Sequence, residues 1–268
     1  MIESRTNIRN PNSIELVNVK GLYKKFCSNT KYNMIYGMQE IAADTLSLNK
    51  PSKTLRKHEF WALNDLNFSL YSNEITALLG VNGCGKTTLI RMLAGIYDTK
   101  IGQITYNKDV KKVCSVFAIK SGLNQYLTGV QNIFLKGAYF GMTKEEIEEK
   151  LEFISQLSGL GKHLNAPLGK YSSGMQTRLA MSVAMSVDCD VLFIDEGFSF
   201  SDPGFKERCF DHLRVTYRNN HKALVFASHH VHKIEELASR VILLDKGKFI
   251  DSTYDVSAGV EQYVDLCR

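Results

Sequence analysis

Long apolar runs are missing from this 268-residue chain. No stretch approaches the ~20 apolar residues that a helix needs to cross a bilayer, so no membrane-spanning helix is expected. The first residues, MIESRTNIRNPNS, lack the apolar core of a secretory signal, and none is expected there. Proline is scarce, with four residues, and neither a low-complexity tract nor an internal repeat is visible. The six cysteines, at 27, 84, 114, 189, 209 and 267, include no Cys-x-x-Cys pair. Neither a zinc site nor a disulfide framework is predicted, and free thiols in a reducing cytosol fit the spacing. Charge of one sign is in slight excess, +5 overall, and it gathers at one end, where residues 1–58 hold ten Lys/Arg against four Asp/Glu. That arm reads either as a solvated basic segment or as a contact for an acidic surface such as lipid headgroups or nucleic acid.

What is present is an ordinary globular composition, 44% hydrophobic and 23% charged, which excludes disorder, collagen and coiled coil as the main theme. Residues 14–19 (IELVNV) and 61–70 (WALNDLNFSL) alternate apolar with polar and predict strands with one buried face. EITALLG (74–80) is a short apolar run, as expected of a strand covered on both faces. VLFID (191–195), ALVFAS (223–228) and RVILLD (240–245) read the same way, with helical stretches between them. Strands alternating with helices predict an α/β fold around a parallel sheet. Residues 28–58 look inserted, with Met34, Met38, Ile41 and Leu48 on one face of a short amphipathic helix. Thr143 and Glu146 have capping-box spacing, and Asp202 before Pro203 is a helix start. GVEQYVDLCR (259–268) reads as a closing helix that packs either on a partner subunit or on a second copy.

Gly80-Val-Asn82-Gly83-Cys84-Gly85-Lys86-Thr87-Thr88 fits the phosphate-loop pattern G-x-x-x-x-G-K-[ST], between a buried strand and a helix. The glycines permit a tight loop whose backbone N–H groups converge on phosphate oxygens, aided by the helix N-terminus. Lys86 would reach the outer phosphates and Thr87 would offer its hydroxyl to Mg²⁺. About a hundred residues on, VLFID ends in two carboxylates. Asp195 is placed to share the Mg²⁺ shell, and Glu196 to polarise an attacking water as general base. The histidines at 229, 230 and 232 have no cysteine or carboxylate spacing that would make them a metal site.

Tyr171-Ser172-Ser173-Gly174-Met175 resembles the signature motif of ATP-binding-cassette (ABC) ATPases, usually LSGGQ. Serines and a glycine opening a helix present N–H groups and hydroxyls to an anion. The resemblance runs from about residue 14 to about 250. It implies a P-loop NTPase fold: a RecA-like core, a small antiparallel β-subdomain and a helical subdomain over 119–185. The tail would be residues 1–13, the nucleotide-binding domain 14–250, and the C-terminal helical segment 251–268. It also implies that two copies dimerise head to tail around composite ATP sites, Ser172 of one facing the γ-phosphate held by Lys86 of the other. Ser199 to Asp202 match the loop that crosses that interface, and His229 the switch histidine that contacts γ-phosphate and water. Tyr23 matches the aromatic that stacks on adenine, with Phe26 as its rival.

YSSGM, FWALNDLNFSL and AIKSGLNQYLTGVQNI are similar to the ATPase subunits of polysaccharide exporters, which serve O-antigen, capsule and teichoic-acid export. That branch implies two separate transmembrane permease subunits, a lipid-linked glycan substrate and a place on the cytoplasmic face of the cell membrane. The permease contact would fall in the helical region 119–165. Lys50, Lys53, Arg56 and Lys57 in the insertion would suit a site near the bilayer. One departure stands out: Ala118 occupies the place of the usual glutamine, leaving solvent or Ser121 to complete the shell. Another cargo (a lipid or a drug), a non-transport cassette ATPase and a phosphate-loop kinase are the rival readings. Without a long coiled coil or a second cassette, no nucleic-acid partner is expected.

Overall fold

The computed structural model describes residues 12–45, 52–195, 202–228 and 230–268. Two sheets organise them. The first is antiparallel and three-stranded: β1 (Glu15–Cys27) lies between β2 (Glu59–Tyr71) and β4 (Ile101–Tyr106). The other strands are β3 (Glu74–Leu79), β5 (Val113–Val116), β6 (Val191–Asp195), β7 (Ala223–Ala227), β8 (Arg240–Asp245) and β9 (Lys248–Thr253). They form a six-stranded sheet in the order β5-β6-β7-β3-β8-β9, parallel except where β9 returns antiparallel to β8.

The period-2 geometry of a strand explains why the central runs carry no polar face. Ile75, Ala77 and Leu79 of β3 join one core, while Leu78 joins a second core on the other side. In β6, Leu192 and Ile194 face the first core and Val191 and Phe193 the second, and β7 divides the same way. Each fully buried Leu, Val or Phe contributes about 1.5–3 kcal/mol of transfer free energy, so both faces of the sheet must be covered. The second core is closed by α2 (Lys86–Leu93) and by β1 and β2. The first is closed by α3 (Gly129–Tyr139), α4 (Lys144–Ser158), α5 (Ser173–Ser186), α6 (Pro203–Asn219), α7 (Val231–Leu237) and α8 (Val256–Leu266). The expected caps form: the Thr143 and Glu146 side chains bond reciprocally to each other's backbone N–H groups at the start of α4, and Asp202 caps α6.

Two expectations are corrected. The first strand does not end at residue 19 but runs, with several register shifts, to Cys27. The inserted helix α1 (Thr30–Thr45) forms, but its apolar stripe finds no cover: Met34, Met38 and Ile41 are 63–69% exposed, and Leu48 lies outside the described residues. The closing helix α8 (Val256–Leu266) forms as expected; Val256 and Val260 seat its start in the first core, and most of 261–268 is exposed.

Candidate functional site

β3, β6 and β7 run parallel and end along one rim of the sheet, where α/β proteins bind their ligands. The glycine loop leaves β3 and enters α2 there. Its shape demands glycine at two places. Gly80 has φ 152°, and a Cβ there would lie 2.2 Å from the Leu244 carbonyl oxygen. Gly85 has φ 110°, and a Cβ would lie 2.6 Å from the Ala62 carbonyl oxygen of β2. Asn82 and Gly83 form the exposed tip, while Thr87 and Thr88 lie in the first turn of α2.

Lys86 is buried, and its Nζ donates to the carbonyls of Gly80 at 2.7 Å and Val81 at 3.2 Å, which keeps the ammonium inside the loop it serves. Cys84 is buried, its Sγ 3.9 Å from the Lys86 Nζ; burial pushes its thiol pKa up, and its backbone N–H donates to the Val81 carbonyl. Thr87 Oγ1 donates to Asp195 Oδ1 at 3.1 Å. That bond joins the two residues assigned to Mg²⁺ across 108 residues of chain, because α2 packs over the end of β6. A hydroxyl and a carboxylate are the hard oxygen donors that suit Mg²⁺ alongside phosphate oxygens. Glu196 and His229 lie outside the described residues, as does Ser199.

Tyr23 is half-buried on β1 and meets Trp61 of β2 edge-on, with ring centroids 5.2 Å apart. Trp61 precedes Ala62, whose carbonyl lies against Gly85, so β2 passes beside the phosphate loop. The Lys53 ammonium sits 4.5 Å from the Tyr23 ring centroid. Phe26, the rival aromatic, packs on Phe60 and Tyr97 instead. Trp61 is the neighbour that the sequence reading left unassigned; as the only tryptophan, on an alternating strand beside the loop, it carried a signal.

At the start of α5, Ser172 and Ser173 are exposed, and Ser172 Oγ accepts from the Met175 N–H at 3.2 Å. Gly174 and Ser172 line a cleft with Thr177, Arg178 and Asp202. Both carboxylate oxygens of Asp202 are engaged within the chain, one by the Phe205 N–H and the other by Arg178 at 2.8 Å. The Phe205 N–H and then the Arg178 charge hold the Asp202 carboxyl below the usual carboxylate range. Arg178, three residues past the quoted signature motif, ties α5 to the head of α6.

Ala118 adopts φ 46°, and Ser121 is turned toward α3: its N–H donates to Ala118 and its carbonyl accepts from Lys136. The insertion's basic residues are largely spoken for. Arg56 pairs with Glu40 and Glu59, Lys57 lies 5.8 Å from the Tyr32 ring, and Lys50 lies outside the described residues.

Among known proteins, the pattern of the ABC transporter family matches residues 63–199. The chain is 36% identical over 189 residues to a teichoic acids export ATP-binding protein TagH of Staphylococcus saprophyticus, covering 70% of each chain. It is 34% identical over 214 residues to the TagH protein of Shouchella clausii, covering 80% of this chain but 58% of that one. The fold matches an ATP-binding subunit of an ABC transporter at TM-score 0.71 and 19% identity, covering 94% of this chain and all of that one. It also matches a dimeric ATP-binding cassette bound to ADP and Pi at TM-score 0.65 and 17% identity, covering 88% of this chain and 97% of that one. Among the described residues no helix is long and apolar enough to cross a membrane.

Proposed function

This chain belongs to the ABC transporter family as an ATP-hydrolysing subunit, and on that premise we propose that it powers export of a lipid-linked polysaccharide of the teichoic-acid, O-antigen or capsule class across the cytoplasmic membrane. The observation that carries the engine is the Thr87–Asp195 contact at the mouth of the glycine loop. The similarity to teichoic acids export ATP-binding proteins supports the cargo class.

In this reading the N–H groups at Gly83, Gly85 and the start of α2 receive the phosphates, with Asn82 at the loop's tip and Cys84 contributing backbone alone. Lys86 exchanges its loop carbonyls for phosphate oxygens. Tyr23, backed by Trp61, takes the adenine ring. Mg²⁺, when bound, supplies counter-charge to the phosphate oxygens, and Thr87 and Asp195 would hold it. Glu196 accepts the proton of the attacking water, and His229 donates to the developing charge on the γ-phosphate. Ser172, Ser173 and Gly174 of a second copy cover the nucleotide from the other side, while Asp202 holds the signature helix through Arg178. Nucleotide then binds the closed dimer better than the open one, and that difference drives two permease subunits from the cytoplasmic face.

The test is ATP hydrolysis by the chain assembled with its permease in lipid vesicles. Supplying a lipid-linked glycan is expected to raise the rate severalfold. A rate unchanged by glycan, and changed instead by a lipid or a drug, would overturn the cargo and leave the ATPase standing.

A further inference from the structure

Between the inserted helix α1 and the three-stranded sheet lies a cavity of about 200 Å³. Tyr23 and Trp61 line it from the sheet, and Asn33, Tyr36 and Gly37 line it from α1. An apolar cavity of about 150 Å³ holds one benzene ring, so this one has room for a base partly inserted. The next residue of β2 after Trp61 is Ala62, whose carbonyl lies against Gly85 of the phosphate loop. The charged groups on the cavity wall are already matched within the chain. Lys25 pairs with Glu59 at 2.9 Å, and Lys100 with Glu40 at 2.7 Å. Lys24 donates to the Asp98 carbonyl and lies 5.0 Å from the centroid of the Tyr97 ring. Aromatic walls with neutralised charges suit a flat, uncharged ring rather than a phosphate.

Two residues of α1 have no use within the chain itself. Gly37 stands in the middle of the helix, where glycine weakens it. No positive φ requires glycine there, and a Cβ built on it would meet nothing within 4 Å. Neither conformation nor internal packing demands the residue, while a bare backbone at the wall keeps the cavity open. Asn33 carries an amide with a donor and an acceptor side, and that amide makes no hydrogen bond among the described residues.

We propose that this cavity takes the adenine ring of the nucleotide held by the phosphate loop, and that the insertion selects the base: Gly37 gives the ring clearance and the Asn33 amide reads its edge, opposite Tyr23. The proposal rests on the reading of Tyr23 as the adenine partner and deepens it. An Asn amide matches the N6 donor and N7 acceptor of adenine, whereas guanine presents two acceptors, O6 and N7. The Lys53 ammonium over the Tyr23 ring gives way, because a base stacks on an aromatic face more strongly than an exposed cation holds it.

The test titrates the whole chain, without Mg²⁺ so that nothing turns over, with ATP, GTP and tripolyphosphate, the last a probe of the phosphate loop that carries no base. Gly37→Leu fills the cavity with a better helix former, so the fold is kept. It is expected to weaken ATP about tenfold or more while tripolyphosphate binds as to wild type. Asn33→Ala, at an exposed position, is expected to cut the preference for ATP over GTP about fivefold or more. Trp61 is the only tryptophan and reports the cavity directly. Its emission should change with ATP and not with tripolyphosphate, and Gly37→Leu should abolish the ATP response. Wild-type ATP affinity in Gly37→Leu, or an equal loss of ATP and tripolyphosphate, would overturn the subsite. An unchanged preference in Asn33→Ala would overturn the part given to Asn33. Tyr23→Ala tests the reading beneath: wild-type ATP affinity there would overturn Tyr23 as the adenine partner, whatever Gly37→Leu shows.

Discussion

At the scale of single residues, buried charges among the described residues differ in how far the fold pairs them. Arg240 is buried beside Glu74 at 3.4 Å and also donates to Ser69 and Ser252, so its burial is compensated within the fold. Lys136 has no such compensation, and its titration gives the cost a sign. Burial holds its folded pKa at about 8, against 10.5 for an ordinary lysine. Between those values the unfolded chain holds a proton that the folded chain has released, so stability rises with pH through that window. Below it the folded protein carries the whole cost, about 3 kcal/mol at most. Lys136→Met is therefore expected to stabilise the isolated chain by roughly 1–3 kcal/mol at pH 7, with the gap to wild type closing toward pH 10.5. Urea midpoints across that range measure it, and a variant less stable than wild type at pH 7 would contradict it. Lys86 makes the opposite case. Its ammonium has two loop carbonyls within 3.2 Å, and phosphate oxygens are stronger acceptors. Lys86→Ala is expected to weaken ATP binding at least tenfold in titration calorimetry while leaving the fold intact, a loss of about 1.4 kcal/mol or more.

At the scale of elements, helix starts are governed by local chemistry. The Thr143 capping box can be read from four letters, and Thr143→Ala is expected to cost about 1 kcal/mol in the urea midpoint. The inserted segment behaves differently. Among the described residues, neither core contains one from 28–58. Its two ends meet, the Ser28 N–H donating to the His58 carbonyl at 2.9 Å. Salt bridges from Glu40 to Arg56 and Lys100 hold α1 down, and these cations lower the Glu40 carboxyl pKa although burial would raise it. Replacing residues 29–57 by a short Gly/Ser link is expected to leave the cassette folded, with its thermal midpoint shifted by a few degrees at most. A chain that unfolds on the exchange would show that α1 supports the sheet.

This element also shows where the sequence stops being legible. The central strands β3, β6, β7 and β8 were readable because burial on both faces leaves an unbroken apolar run. The glycine loop was readable because Gly80 and Gly85 are sterically required. The helical period of α1 was visible too, but period reports which residues share a face, not what covers it. Trp61 and Arg178 were in view as letters; their roles depend on register and on packing between α5 and α6, which no local pattern encodes. Lys136 fell on the stripe of Asn132 and Ile133, a signal of burial that a charged letter conceals.

At the scale of the whole molecule, one sheet with two cores brings the functional pieces to one rim. β3 delivers the phosphate loop, β6 delivers Asp195, and α2 closes the distance between them at 3.1 Å. The start of α5, proposed above to cover the nucleotide of a second copy, is held by Arg178 and Asp202 in a separate cleft. The central claim is that this chain hydrolyses ATP by general-base attack at that rim. The most direct measurement is Mg²⁺-dependent ATP hydrolysis by the permease complex, comparing wild type with Glu196→Gln. The rate is expected to fall at least about 100-fold while ATP still binds, since general-base catalysis contributes on that order. Hydrolysis by Glu196→Gln at the wild-type rate would contradict the account.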